Sequence, residues 1–332
     1  MKNFNIWVRK YILLWALLAM VVGYLAGRFN EERVLSLKFL ITPLLFLMVF
    51  IMVFPTSFKT LAKLKQYLYP MAASFILFLL GPFIAYGIAH IIPEHFGYMQ
   101  RGIVISSTVP PDAMLSAWTG FLEGDILLTL IIQSFTFVVW IFLVPFGFSL
   151  FFRGSSYFSL PLLIKNLFFL IVIPFILAWA LKRVMKRWMK DALLERMKPT
   201  LSTISGIIEI FIILISIALG SHIITDHPVI IWWGVLTSAL YYTVSFVISI
   251  YLTKLFRIRG QRAIPLIYEN GTRNLAIAMV VAITSFKGGA VLGVAACILS
   301  QFPIAALFYT ILRSYKVLDK EKADGAERGY SR

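Results

Sequence analysis

Polar residues are sparse along this chain, and the spacing between them sets its plan. Apolar runs recur at approximately 11–27, 37–54, 70–92, 102–122, 126–152, 162–181, 201–222, 229–253, 263–285 and 289–312. Each approaches the roughly 20 residues that an α-helix needs to cross the hydrocarbon of a bilayer. The pattern therefore predicts an all-α polytopic membrane protein with ten transmembrane helices and both termini on one side. The first run follows Lys2, Arg9 and Lys10 and has the flank of a signal peptide. It is longer than the roughly 7 to 15 apolar residues of such a peptide and lacks a clean small-residue cleavage motif, so it reads as the first membrane helix.

Two runs are interrupted. In the fourth, Pro110 and Pro111 each remove a backbone donor and clash with the preceding turn, so one helix cannot run through them. In the ninth, Glu269-Asn270-Gly271-Thr272-Arg273-Asn274 follows Tyr268 inside an otherwise apolar stretch. At bilayer depth an unpaired carboxylate, guanidinium or amide costs several kcal/mol and persists only where it faces a cavity, a partner or an ion.

The longest basic connection, Lys182 to Lys198, is read as falling between segments five and six and as dividing the chain into two sets of five, at 1–160 and 161–313, with a cytoplasmic polar tail at 314–332. Five is odd, so the second set enters the membrane from the opposite side and is an inverted repeat of the first. Each set then has its fourth segment broken. A pair of Pro/Gly-interrupted helices at matching positions of inverted halves is the sequence pointer to a transporter binding site.

Composition agrees with the membrane reading. The chain of 332 residues is 60% hydrophobic and only 14% charged, with mean hydropathy +0.87, where soluble domains carry about 25% charged residues. The formal charge of +16 does not indicate nucleic acid, because the basic residues lie in the connections between apolar runs. Most of the 31 Lys and Arg fall on the side of the termini, which places both termini in the cytoplasm and the protein in the cytoplasmic membrane. One cysteine, Cys297, excludes an internal disulfide and any CxxC site, and the four histidines lack ligand spacing. No P-loop, H-E-x-x-H or G-x-S-x-G motif occurs, so neither an enzyme nor a nucleotide-driven pump is expected.

The candidate chemistry sits at the breaks. Asp112, Ser116 and Thr119 supply oxygens beside Pro110-Pro111, while Gly271, flanked by Asn270 and Thr272, leaves carbonyls free beside the Glu269 carboxylate. Such oxygens suit a hard cation such as sodium. If the breaks cross at mid-membrane, half-helix N-termini there favour an anion and C-termini a cation. Simpler readings stand beside these. The prolines alone can mean a kink, and Glu269 and Arg273, spaced i, i+4, can form a structural ion pair. Glu209, in the seventh run, either lines a pathway or bonds a neighbouring hydroxyl. Asp125 reads as a helix cap, Thr129 and Gln133 look back at the fourth segment, and Ser134 and Thr136 read as packing hydroxyls.

The motifs S-T-V-P-P-D-A-M-L-S-A-W from Ser107 to Trp118, L-E-G-D from Leu122 to Asp125, and E-N-G-T-R-N-L-A from Glu269 to Ala276 resemble the bile acid:sodium symporter superfamily, which also contains the bacterial arsenite permeases. The resemblance implies a panel domain of helices 1, 2, 6 and 7, a core domain of helices 3 to 5 and 8 to 10, and unwound helices 4 and 9 crossing near two sodium sites. It implies that Glu269 is the carboxylate shared by those sites, with Ser116, Thr129 and Gln133 as ligands of the first and Asn274 following the second. Arg273 stands where the symporters have a glutamine, which leaves room for one sodium or a proton. The fourth segment lacks the cysteine of the arsenite permeases.

The expectation is a secondary transporter moving a small organic anion by sodium- or proton-coupled alternating access, without a resident cofactor. Glu269, Ser116, Thr129, Gln133 and Asn274 would hold the cation, and Pro110, Pro111, Asp112, Asn270, Gly271, Thr272 and Arg273 would form the substrate crossover. An arsenite or antimonite efflux permease, and a passive channel or membrane sensor domain, are the alternatives.

Overall fold

The computed structural model describes residues 12–53, 67–112, 114–152, 158–188, 191–286 and 289–329. The predicted basic clusters at Lys2 to Lys10 and Lys59 to Lys65 lie outside the described residues. Among the described residues the chain is helical without strands: α1 (Ile12–Phe29), α2 (Glu31–Val53), α3 (Leu68–Ala89), α4 (Gly97–Thr108), α5 (Met114–Phe121), α6 (Ile126–Phe152), α7 (Leu160–Leu167), α8 (Ile173–Trp188), α9 (Asp191–Leu219), α10 (Ser221–Asp226), α11 (Val229–Leu255), α12 (Ala263–Gly271), α13 (Leu275–Ser285) and α14 (Ala290–Gly329). A π-helical turn, Phe168–Val172, joins α7 to α8.

Among the described residues five helical stretches are long and apolar enough to cross a membrane: Leu68–Ala89, Ile126–Phe152, Leu160–Met185, Val229–Leu255 and Ala290–Ser314. Shorter apolar helices run over Leu14–Phe29, Phe39–Ile51, Thr203–Leu219 and Leu275–Ser285. Large apolar side chains point outward from them, Phe146 and Trp232 each with 76% of their surface exposed. Apolar surface on that scale is suited to lipid rather than water. The basic run at 182–198 follows the sixth apolar segment, 162–181, and not the fifth, so it does not itself divide the ten segments into fives. The helix of the tenth segment, α14, continues to Gly329.

The helices pack as two groups. In one, α1 and α2 lie against α9, with α8 beside α2; in the other, α3 to α6 enclose α11 to α14. Hydrocarbon provides no hydrophobic drive between helices, so close approach of small residues supplies the contact. Gly23 of α1 lies on the backbone of Leu214, and Gly102 of α4 on that of Gly293 in α14. A Cβ built at Gly102 would stand 2.6 Å from the Gly293 Cα. Backbone cannot yield there as a flexible side chain can.

Gly102→Val is accordingly expected to lower stability by about 1–3 kcal/mol or more, as overpacking does. The thermal midpoint of the purified protein in detergent measures this. Gly147→Ala, where an added Cβ meets nothing within 4 Å, should leave the midpoint near that of the parent.

Candidate functional site

The two helix breaks lie against each other. Val109 is extended (φ −72°, ψ 155°) where α4 stops, and Thr272 is extended (φ −133°, ψ 96°) where α12 stops. Between them Pro111 and Arg273 form an isolated antiparallel bridge. Asp112 N donates to Thr272 O at 3.2 Å, and Asn274 N donates to Pro110 O at 2.9 Å. Arg273 N donates to Gln301 Oε1 at 2.8 Å, and Gln301 Nε2 returns a bond to Arg273 O at 3.1 Å. Backbone groups freed by the breaks are thus paired inside the protein, as bilayer depth demands. The two prolines help, since neither carries a donor that needs an acceptor.

Glu269 lies on the last turn of α12 with none of its surface exposed. Its Oε2 accepts from Ser74 Oγ of α3, and its Oε1 accepts from Thr136 Oγ1 of α6 at 3.1 Å. The carboxylate is therefore the junction of three helices. One turn back along α6 from Thr136, Gln133 accepts from Ser116 Oγ at 3.1 Å and donates to Asp112 O at 2.7 Å. A further turn back, Thr129 Oγ1 donates to Asp125 O at 2.9 Å and to Thr119 Oγ1 at 3.2 Å. The side chains named from the sequence thus fall in three places. Ser116 and Gln133 share one network with the Asp112 carbonyl, Thr129 sits beside it, and Asn274 caps α13 by accepting from Ile277 N at 3.1 Å. Ser74 and Thr136 hold Glu269; Ser74 is not among the residues named from the sequence, and Thr136, read there as a packing hydroxyl, is more than one. Spacing offered one signal: 129, 133 and 136 share a face of α6 with Glu269's partner at its end.

Arg273 is buried as fully as Glu269, yet the two do not form the i, i+4 pair that their spacing suggests. The helix ends at Gly271, so Arg273 lies in extended chain and its side chain leaves in another direction. Nη1 donates to Val109 O at 3.2 Å, Nη2 donates to Asn270 Oδ1, and the guanidinium stands 5.0 Å over the Phe78 ring. Val109 closes the C-terminus of α4, where the helix dipole presents partial negative charge. Glycine at position 81 makes room, since a Cβ there would come within 2.5 Å of Nη2. Gly271 does the same for the Phe246 ring.

Asp125 caps α6 as the sequence predicts, accepting from Leu128 N at 2.9 Å. Glu209 lies on α9, in the other helix group. Cys297 is buried in α14.

The profile described as the sodium bile acid symporter family matches residues 42–227. The chain is also similar to the uncharacterized protein YbaS of Bacillus subtilis (strain 168), with 23% identity over 266 residues, 79% of this chain and 84% of the relative. The matched region includes Ser74, the Pro110-Pro111 break and all of α6, while Glu269 and Arg273 lie beyond it.

Removing the hydroxyl in Ser74→Ala leaves one buried oxygen of Glu269 without its donor, a loss of about 1–3 kcal/mol. A depressed thermal midpoint is expected, and the effect should shrink in a Glu269→Gln background, because contacting groups couple non-additively. An unchanged midpoint in the single variant would mean that this bond does not hold the carboxylate.

Proposed function

The chain belongs to the sodium bile acid symporter family, so it is a multi-pass membrane transporter and not an enzyme, and we propose that it moves a small organic anion by sodium-coupled alternating access at the paired breaks. The observation that carries the reading is the Glu269 carboxylate, enclosed between α3, α6 and α12 and served by hydroxyls alone. A carboxylate with surrounding hydroxyl and carbonyl oxygens is a suitable shell for a hard monovalent cation. A proton is the competing occupant of the same oxygens. Ser74 and Thr136 join the set of Ser116, Thr129, Gln133 and Asn274 proposed to complete the shell.

On this reading the ten apolar segments are ten spans in two inverted repeats. The pairing of the breaks supports it: a two-fold axis through Pro111 and Arg273 exchanges the bond from Asp112 N to Thr272 O with that from Asn274 N to Pro110 O. The group α1, α2, α8 and α9 is then the panel and the remaining bundle the core, and access alternates along the seam between them. Both termini face the cytoplasm.

Charge supplies the coupling. Glu269 and Arg273 together are neutral, and at this depth an added uncompensated charge costs several kcal/mol. A cation on Glu269 leaves the site at one net positive charge, which an anionic solute cancels. Arg273, fixed on the carbonyl end of α4, holds the place of a second cation, so one sodium ion accompanies each turnover. Both ligands leave together because neither is stable there alone.

A thermal-shift screen against organic anions, with sodium or choline as the cation, identifies the solute: it should raise the midpoint only with sodium present. A ligand at ten times its dissociation constant adds about 1.4 kcal/mol. In proteoliposomes, Glu269→Ala should then abolish sodium-gradient-driven uptake of that anion without unfolding the protein. Gradient-driven uptake retained by the variant would refute the assignment.

A further inference from the structure

The apolar stretch Leu160–Met185 is long enough for one membrane span, but its two parts are attached to different helix groups. The first part, α7, packs on α6 and α13. Asn166 Nδ2 of α7 donates to Thr284 O at 2.7 Å and to Ser285 Oγ at 3.3 Å, both in the last turn of α13. Just ahead of α7, Phe158 and Phe286 form an isolated antiparallel bridge. Their rings stack with centroids 5.2 Å apart, and Phe152 of α6 lies edge-on to Phe286 at 4.9 Å. Because α13 starts directly after the break at Arg273 and Asn274, these contacts tie α7 to the half-helix that leaves the crossing. The second part, α8, packs on α2 in the other group.

The attachment changes at the π-helical turn Phe168–Val172. There Ile173 N donates to Phe168 O, five residues back instead of the four of an α-helix. The next residue, Pro174, has no N–H to give, and in a regular helix its ring would collide with the carbonyl of Leu170. The wider turn relieves that collision and leaves the helix with fewer main-chain bonds here than on either side. Sharp bends in long helices occur at prolines and at π-turns, and this one has both. The turn itself lies against α2, with Leu170 and Ile171 buried and Phe168 and Phe169 exposed. Where α8 begins, Phe175 stacks on Phe137 of α6 with centroids 5.9 Å apart and planes at 14°, a flat face that permits sliding. The weak point of the helix therefore coincides with the seam between the groups.

We propose that Phe168 to Val172 is a hinge: α7 travels with the core and α8 with the panel, and the helix bends between them as the two groups move against each other. A few residues with few main-chain bonds absorb the rotation. Asn166 is the tie that makes α7 part of the core. The inference rests on the alternating-access reading but needs neither the sodium nor the anion assigned there.

The test introduces cysteines for nitroxide labels at exposed positions, Leu162→Cys on α7, Trp179→Cys on α8, Leu240→Cys on α11 and Val22→Cys on α1. The native cysteine is removed by Cys297→Ala, the protein is reconstituted in lipid nanodiscs, and pulsed dipolar spectroscopy reads the distance distributions. The pair at 162 and 179, across the turn, should be broad or split into two populations. The pair at 162 and 240, within the core, and the pair at 179 and 22, within the panel, should each be single and narrow. Pro174→Ala restores a main-chain donor and should narrow the pair across the turn to one peak. Asn166→Leu should broaden the core pair and leave the panel pair unchanged. A core pair already broad in the parent would mean that α7 moves with the panel, and would overturn the proposal. A narrow pair across the turn, or one that Pro174→Ala leaves as broad as in the parent, would overturn it as well. If Pro174→Ala does not fold, the parent pairs and Asn166→Leu decide the question. No transported solute enters this measurement, so its failure is distinct from failure of the transport reading, which shows in uptake.

Discussion

Two helices stop in the interior of this protein, and the backbone they expose has no water to turn to. Each break must therefore find its partners inside the protein, largely in the other break. That constraint explains the antiparallel meeting of Pro111 with Arg273, the exchange of bonds between Asp112, Thr272, Pro110 and Asn274, and the clasp of Gln301 on both backbone groups of Arg273. It also explains the glycines around the site. Gly81 and Gly271 leave space for a guanidinium and an aromatic ring, and Gly102 lets α4 reach the backbone of α14. A break that pairs so closely holds its side chains at fixed positions, as a selective ion site requires.

The side chains fixed there are of opposite charge but are kept apart. Had the helix continued past Gly271, Glu269 and Arg273 would have met at i, i+4 and neutralised each other as a structural pair. Because it stops, the carboxylate turns to Ser74 and Thr136 and the guanidinium to the end of α4. In the proposed mechanism the carboxylate takes the cation and the guanidinium faces the anion. The family membership of the chain makes transport its activity, and the proposed coupling of two ligands rests on this separation of charge.

Much of this was legible in the order of residues. Apolar length predicts where the helices lie, and within the described residues each of the ten segments is helical apart from the two breaks. Proline chemistry places one break at Val109 to Asp112, and the polar stretch after Tyr268 places the other. What the sequence does not carry is azimuth. Ser74 is one hydroxyl in a long apolar run and Thr136 another, and only the packing of α3, α6 and α12 shows which face a carboxylate. The i, i+4 spacing of Glu269 and Arg273 misleads because it presumes a helix through Gly271. Gln301 is silent in sequence for the same reason as Ser74: its partners are the backbone of a residue 28 positions away.

The central claim is that one buried carboxylate binds one coupling cation beside a fixed positive charge. Equilibrium binding of radioactive sodium to the purified protein tests it most directly. The account predicts saturation at one ion per chain, weakening as acid protonates the same oxygens, and no binding to the Glu269→Gln variant. Two ions per chain, or binding unaltered in that variant, would contradict it.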